Sequence, residues 1–258
     1  MTDHRFCTVE DDGRVRLVTI NRPEVLNALH SEAHWEFDQV WNEFAADPDL
    51  WVGIITGAGN RAFSAGNDLK VQAAGGRTPR PATGFAGLTS RFDLDKPLIA
   101  AVNGVAMGGG FEAALACDII VASENALFAL PEPRVGLIAG SGVHRLPRLI
   151  GLKQALGMIL TGRRVSAAEG KALGFVNEVV PAGEALAAAR RWASQILECS
   201  PMAIRASKQV VHQSLDEPTL AAAMTRIYPA AAANLASHDY IEGPKAFAER
   251  RKPEWRNR

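Results

Sequence analysis

The feature that most limits how this chain can fold is the run Gly104-Val105-Ala106-Met107-Gly108-Gly109-Gly110-Phe111-Glu112. It follows an apolar stretch, residues 97–102, that reads as a strand, and it precedes residues 111–115, which read as a helix. Consecutive glycines are entropically costly, so they mark places where side chains do not fit or where backbone N–H groups must approach a ligand. At a helix start such donors favour negative charge. Strand, glycine turn and helix recur in this order along the chain, which points to α/β layering.

The flanking sequence agrees. Residues 6–10 and 15–20 surround Asp12-Gly13, a hairpin signal. A helix is expected from Ser31, with Trp35, Val40, Trp41 and Phe44 at helical spacing, closed by Asp47-Pro48. Residues 51–56, 118–122 and 126–130 read as further strands. Residues 71–91 hold Gly75, Gly76, Pro79, Pro81, Gly84 and Gly87 without clear periodicity, and are expected to form a long loop of the kind that carries function. From about residue 184 to 249 the chain is Ala-rich and helical, with breaks expected at Pro201, Pro218 and Pro244. The expected division is a layered core over 1–194 and a helical region over 195–258.

Composition narrows the function. The chain has 28 Lys+Arg and 28 Asp+Glu, so no net charge drives non-specific nucleic-acid binding. No stretch reaches the roughly 18 apolar residues of a membrane helix, and residues 1–10 lack the apolar segment of a secretion signal. Cys7, Cys117 and Cys199 are odd in number and far apart, which excludes the common zinc frameworks and fits a reducing cytoplasm. They are expected to be small buried hydrophobes.

Two acids stand out. Glu112 opens the helix after the glycines, where it would also serve as a dipole partner. Glu132 lies between Pro131 and Pro133, which restrict its backbone and fix its aim. Two such carboxyls can share acid and base work on one water or one carbon acid. Other patterns are weaker. Residues 57–62 match a GxGxxA dinucleotide fingerprint, but the following residues make a poor helix opening. His30 and His34 have i,i+4 spacing without a third ligand. Ser64 with His144 would begin a hydrolase triad, yet the chain has no GxSxG elbow.

Residues 62–70, residues 103–112, and residues 128–132 followed by Gly136 together resemble the enoyl-CoA hydratase/isomerase (crotonase) family, in the right order and over nearly the whole chain. Within it, residues 84–89, 94–97 and 241–249 look like the carnitinyl-CoA dehydratase group. The resemblance implies a spiral of β-β-α turns with a C-terminal helical region that serves oligomerisation and covers the CoA pocket. It implies hydration of 2-enoyl-CoA thioesters, or the reverse, without a cofactor beyond the CoA of the substrate. The backbone N–H groups of Asn67 and Gly109 would bind the thioester oxygen. Glu112 would act mainly as base on a water, and Glu132 would handle the α-carbon proton. Gly140 would support the acyl end, Asp68, Leu69 and Lys70 would lie along CoA, and Arg250 would contact its phosphates. A homotrimer or homohexamer is implied, as are a cytoplasmic location and no nucleic-acid or membrane partner. Double-bond isomerisation and a non-catalytic or RNA-binding role are the alternatives. Two departures stand out: Gly140-Ser141-Gly142 is one glycine short of the family's adjacent pair, and Asn67 replaces a small Ala.

Overall fold

The computed structural model describes residues 4–75 and 79–258. Met1 to Asp3, and Gly76 of the expected loop, lie outside them. Strands β1 (Cys7–Asp12) and β2 (Val15–Ile20) form the expected hairpin, with Asp12 opposite Val15 and Gly13 at positive φ in the turn. Helix α1 (Ser31–Ala46) follows. Its buried face is Ala33, His34, Phe37, Val40, Trp41 and Phe44; Trp35, expected on that face, is 51% exposed.

Three spiral turns then repeat one plan. Strands β3 (Val52–Gly57), β5 (Leu98–Val102) and β7 (Ile119–Ser123) enter a large sheet of order β1-β2-β3-β5-β7-β10, with β10 at Glu178–Val180. Each of the three is followed by a short strand of a second sheet: β4 (Ala62–Ser64), β6 (Val105–Met107) and β8 (Leu127–Ala129), with β9 (Val165–Ser166) antiparallel to β8 at the edge. From β2 through β10 the large sheet is parallel. β6 runs where the sequence predicts a plain glycine turn, and α2 (Leu69–Gly75) overlaps the predicted loop; both elements are too short for periodicity to mark.

Alternation along the strands builds two cores. Val18, Ile20, Ile55, Ala100 and Val102 face the small sheet and α3 (Gly109–Ala116). There Phe111, Phe128 and Phe175 meet with ring centroids 5.1–5.2 Å apart. Leu17, Ile54, Ile99, Ala101 and Val121 face the other way, onto Ala185, Ala188 and Ala189 of α7 (Ala185–Leu197). The division at residue 194/195 therefore lies inside α7, which packs on the core sheet. The helical region begins at α8 (Pro201–Ser214) and continues through α9 (Leu220–Thr225), α10 (Pro229–Leu235) and α11 (His238–Ala248). Pro244 lies within α11 and does not break the helix; Pro229 opens α10. No helix among the described residues is long and apolar enough to cross a membrane. Cys7 is buried, Cys117 half-buried, and Cys199, against expectation, exposed; none is in a disulfide.

Glycine is required where the two layers meet. A Cβ on Gly110 would lie 2.2 Å from the Ser64 carbonyl oxygen, and one on Gly66 would lie 2.6 Å from that of Met107. Neither neighbour is a flexible side chain. Gly110→Ala is therefore expected to cost about 1–3 kcal/mol, seen as a lower urea midpoint at unchanged m. Gly157→Ala, in α5 (Leu152–Thr161) with open space around its Cβ position, is expected to stabilise by about 0.5–1 kcal/mol.

Candidate active site

The segment after β4 is shaped by two asparagines. Asn27 Nδ2 donates to the carbonyls of Ala58 (3.1 Å) and Ala62 (2.8 Å), and Asn103 Nδ2 to those of Gly57 (2.8 Å) and Gly59 (2.7 Å). These bonds close the turn after β3, so residues 57–62 lead into a strand and not into the helix a dinucleotide site needs. Residues 65–68 then pair with the stretch before α1. Ala65 N–H donates to Leu26 O, Leu29 N–H to Gly66 O, and Asp68 N–H to Leu29 O. Gly66 N–H donates to Ser64 Oγ. In this pattern the N–H of Asn67 is left without an acceptor among the described residues.

Gly109 supplies a second such donor. It is the first residue of α3, whose leading N–H groups have no intrahelical acceptor. Gly66, at φ +91°, sits so close that a Cβ on it would lie 3.1 Å from the Gly109 nitrogen. The two predicted donor turns are thus brought side by side. Phe85 stacks flat against Gly109; a Cβ there would lie 2.5 Å from its ring carbons. Phe85 is held in turn by Thr89 Oγ1, which accepts its N–H (2.8 Å), and by the His34 ring at 4.7 Å. His34 Nδ1 accepts the N–H of Ala86, and burial, with the Arg80 and His30 charges adding to it, lowers its pKa to about 3. It is a neutral structural imidazole. His30 caps α1 by accepting the Ala33 N–H.

The two acids reach this place from different elements. Glu112, 4% exposed on the first turn of α3, accepts the Gly142 N–H at Oε1 (2.7 Å). A Cβ on Gly142 would lie 3.3 Å from that oxygen and one on Gly140 3.8 Å from it. The 140–142 turn thus seats Glu112 with the single glycine pair it has. Glu132 opens a 3-10 turn, Glu132–Val135, after β8. Its Oε1 would lie 2.8 Å from a Cβ on Gly108, and its Oε2 is buried with no partner among the described residues. Burial, reinforced by the Glu112 charge, raises its pKa to about 7. Asn67, Gly109, Glu112, Glu132 and Gly140 therefore converge.

The remaining predicted residues divide. Asp68 accepts from Arg22 Nη1 at 3.4 Å and is mostly buried, a structural partner. Leu69 and Lys70 are exposed at the start of α2. Arg250 is exposed beyond α11, a helix that packs mainly on α8 and α10, and it is not brought to the constellation within one chain. His144 is exposed on α4 (Gly142–Ile150), and Ser64 Oγ donates to Asn27 O, so they form no triad. Sequence reasoning missed Phe85 and Arg80. Arg80 donates to Asn67 Oδ1 at 2.7 Å and lies 5.9 Å from the Phe85 centroid. Its signal was present: Pro79 and Pro81 bracket it as Pro131 and Pro133 bracket Glu132.

Residues 10–258 match the enoyl-CoA hydratase/isomerase family. The chain is 44% identical over 257 residues to a carnitinyl-CoA dehydratase of Salmonella enteritidis, covering 96% of this chain and 97% of that one. It superposes on an enoyl-CoA hydratase of Mycobacterium tuberculosis with TM-score 0.92 and 37% identity, over 98% of this chain and 99% of that one. An enoyl-CoA hydratase of Mycobacterium marinum gives TM-score 0.92 and 38% identity over the same shares.

The raised Glu132 pKa has a stability consequence. A carboxyl whose folded pKa (about 7) exceeds its unfolded value (4.5) favours folding while protonated and loses that contribution as pH rises through this window. Glu132→Gln is therefore expected to raise the melting temperature at pH 8 and to leave it near wild type at pH 4.5, as read by thermal scans at both pH values.

Proposed function

This chain belongs to the enoyl-CoA hydratase/isomerase family, and we propose that it adds water across the 2,3-double bond of an enoyl-CoA thioester, or removes it in reverse. The observation that carries the reading is the meeting of two acceptor-free N–H groups, Asn67 and Gly109, with two carboxyls in unlike environments. Two aimed donors stabilise the negative charge that develops on the thioester oxygen; removing one such donor typically costs about 2.7–4 kcal/mol.

Glu112 has one oxygen engaged by Gly142 N–H, which leaves Oε2 to accept a proton from water. The water oxygen bonds to the β carbon, and the electron pair of the double bond moves toward the thioester oxygen. Glu132, protonated near neutrality, supplies the α-carbon proton. Two hydrogens and one oxygen enter the product, and one proton is left on the carboxyl pair. Leu69 and Lys70 lie along the CoA moiety in this reading, while Asp68 stays with Arg22. Neither a resident cofactor nor a metal takes part. Isomerisation needs one base only and leaves the second acid without a task.

The test follows the enoyl absorbance of crotonyl-CoA and, separately, crotonobetainyl-CoA, with mass analysis of the product. A gain of one water is expected; a shifted double bond without added water would favour isomerisation. Glu112→Gln and Glu132→Gln are each expected to lower kcat by about 10²–10⁴-fold.

The pH profile is a further check. Hydration consumes no net proton, so both directions use the singly protonated carboxyl pair and share one profile. As pH rises through about 7 the pair loses that proton, so kcat/KM should fall tenfold per unit above it. The same limb should appear in hydration and dehydration.

Self-association is proposed as well. Leu215, Leu220, Met224, Ile227 and Phe247 of the helical region are 76–87% exposed, and contact with another copy would take this apolar surface out of water. Light scattering is expected to give three or six times the 27.6 kDa chain mass. Arg250 reaches a CoA phosphate in this reading only from another copy. The three thiols, none in a disulfide, fit a cytoplasmic protein.

A further inference from the structure

The geometry points to Arg80 as the residue that selects the acyl group, favouring an enoyl-CoA whose far end is a carboxylate. This rests on the hydratase reading above and goes beyond it.

Arg80 Nη2 donates to Asn67 Oδ1 at 2.7 Å, so the guanidinium stands over the turn that carries one of the two thioester-oxygen donors. Its carbon lies 5.9 Å from the centroid of Phe85, the ring stacked on Gly109, which carries the other donor. Arg80 is solvent-exposed at the mouth of this turn, and the Glu112 charge acts on it, so the guanidinium also lies within electrostatic reach of that carboxyl. Arg80 has no ion-pair partner among the described residues. Pro79 and Pro81 restrict its backbone on both sides. An unpaired guanidinium with an oriented fork is suited to a carboxylate.

The surroundings disfavour the opposite charge. A trimethylammonium end group needs an open aromatic face or an unpaired acid. Phe85 already faces Arg80, and Phe92, in the cleft of about 910 Å³ that opens beside Gly140, already faces Arg145 at 5.6 Å. In the same cleft Asp93, Asp95 and Asp118 are paired with Arg91, Arg205 and Lys208. Asp216 alone among its acids has no cation partner among the described residues, and it lies just beyond α8. A four- or five-carbon enoyl chain ending in a carboxylate therefore meets a cation near the donors, with which a trimethylammonium end group cannot pair.

The experiment measures kcat/KM of the full-length protein for glutaconyl-CoA, crotonyl-CoA and crotonobetainyl-CoA at low salt. It also measures, by calorimetry, binding of glutaryl-CoA and butyryl-CoA, which cannot be hydrated. Wild type is expected to prefer the carboxylate-ended member of each set. Arg80→Met is expected to reduce that selectivity ratio by about 10–100-fold, as for loss of a charge-assisted hydrogen bond, and Arg80→Lys to restore part of it. A merely structural Arg80 would change all substrates together and leave the ratio unmoved. Equal or weaker binding of glutaryl-CoA, or a ratio untouched by Arg80→Met, would overturn the proposal while leaving hydratase activity intact. Tighter glutaryl-CoA binding without turnover of any of the three enoyl thioesters would keep the selectivity and overturn the hydratase reading.

Discussion

The rest of the site depends on how closely two backbone turns approach. The turn after β4 and the start of α3 touch through Gly66, Gly109 and Gly110, at distances that leave no room for a Cβ. That contact sets two N–H groups side by side, and the same glycines place the flat ring of Phe85 over one of them. A larger residue at Gly110 or Gly66 would have to push backbone, which a packed interior resists. The asparagine brackets at Asn27 and Asn103 serve this approach, because they satisfy the carbonyls of the turn between β3 and β4 and let it fold back tightly.

The acids gain their unlike characters from what surrounds them. Glu112 is tied to Gly142 N–H by one oxygen, which fixes the other. Glu132 has a buried oxygen without a partner among the described residues and a carboxylate neighbour, and both conditions favour its neutral form. Two carboxyls in unlike surroundings are what the proposed water addition needs, one to accept a proton and one to give it. Gly108 contributes by omission: its positive φ and lack of a side chain leave the space that Glu132 Oε1 occupies.

Much of this was legible along the chain. The hairpin at Asp12-Gly13, the apolar runs of β3, β5 and β7 and the glycines before α3 carry local signals strong enough to read. So did Glu132 between its prolines. Trp35 departs from expectation because helical spacing marks a stripe without saying where its edge falls, and Cys199 because the general preference of free thiols for the core does not fix any single one. The short strands β4, β6, β9 and β10 escaped because two or three residues cannot display a period. Arg80 shares the proline bracket of Glu132, but nothing local marks what its side chain meets.

The sequence by itself determined the family and the succession of strands and glycine turns, since each is carried by local spacing and by turns only glycine can make. Tertiary structure alone decided what those residues are to one another. Only in the folded chain does pairing of residues 65–68 leave the Asn67 N–H without an acceptor among the described residues. Only there does burial beside Glu112 hold Glu132 near neutrality. Arg80 likewise meets Asn67 and Phe85 only once the spiral closes. Exposure, hydrogen-bond occupancy and electrostatic coupling depend on neighbours distant in sequence, and no local pattern encodes them.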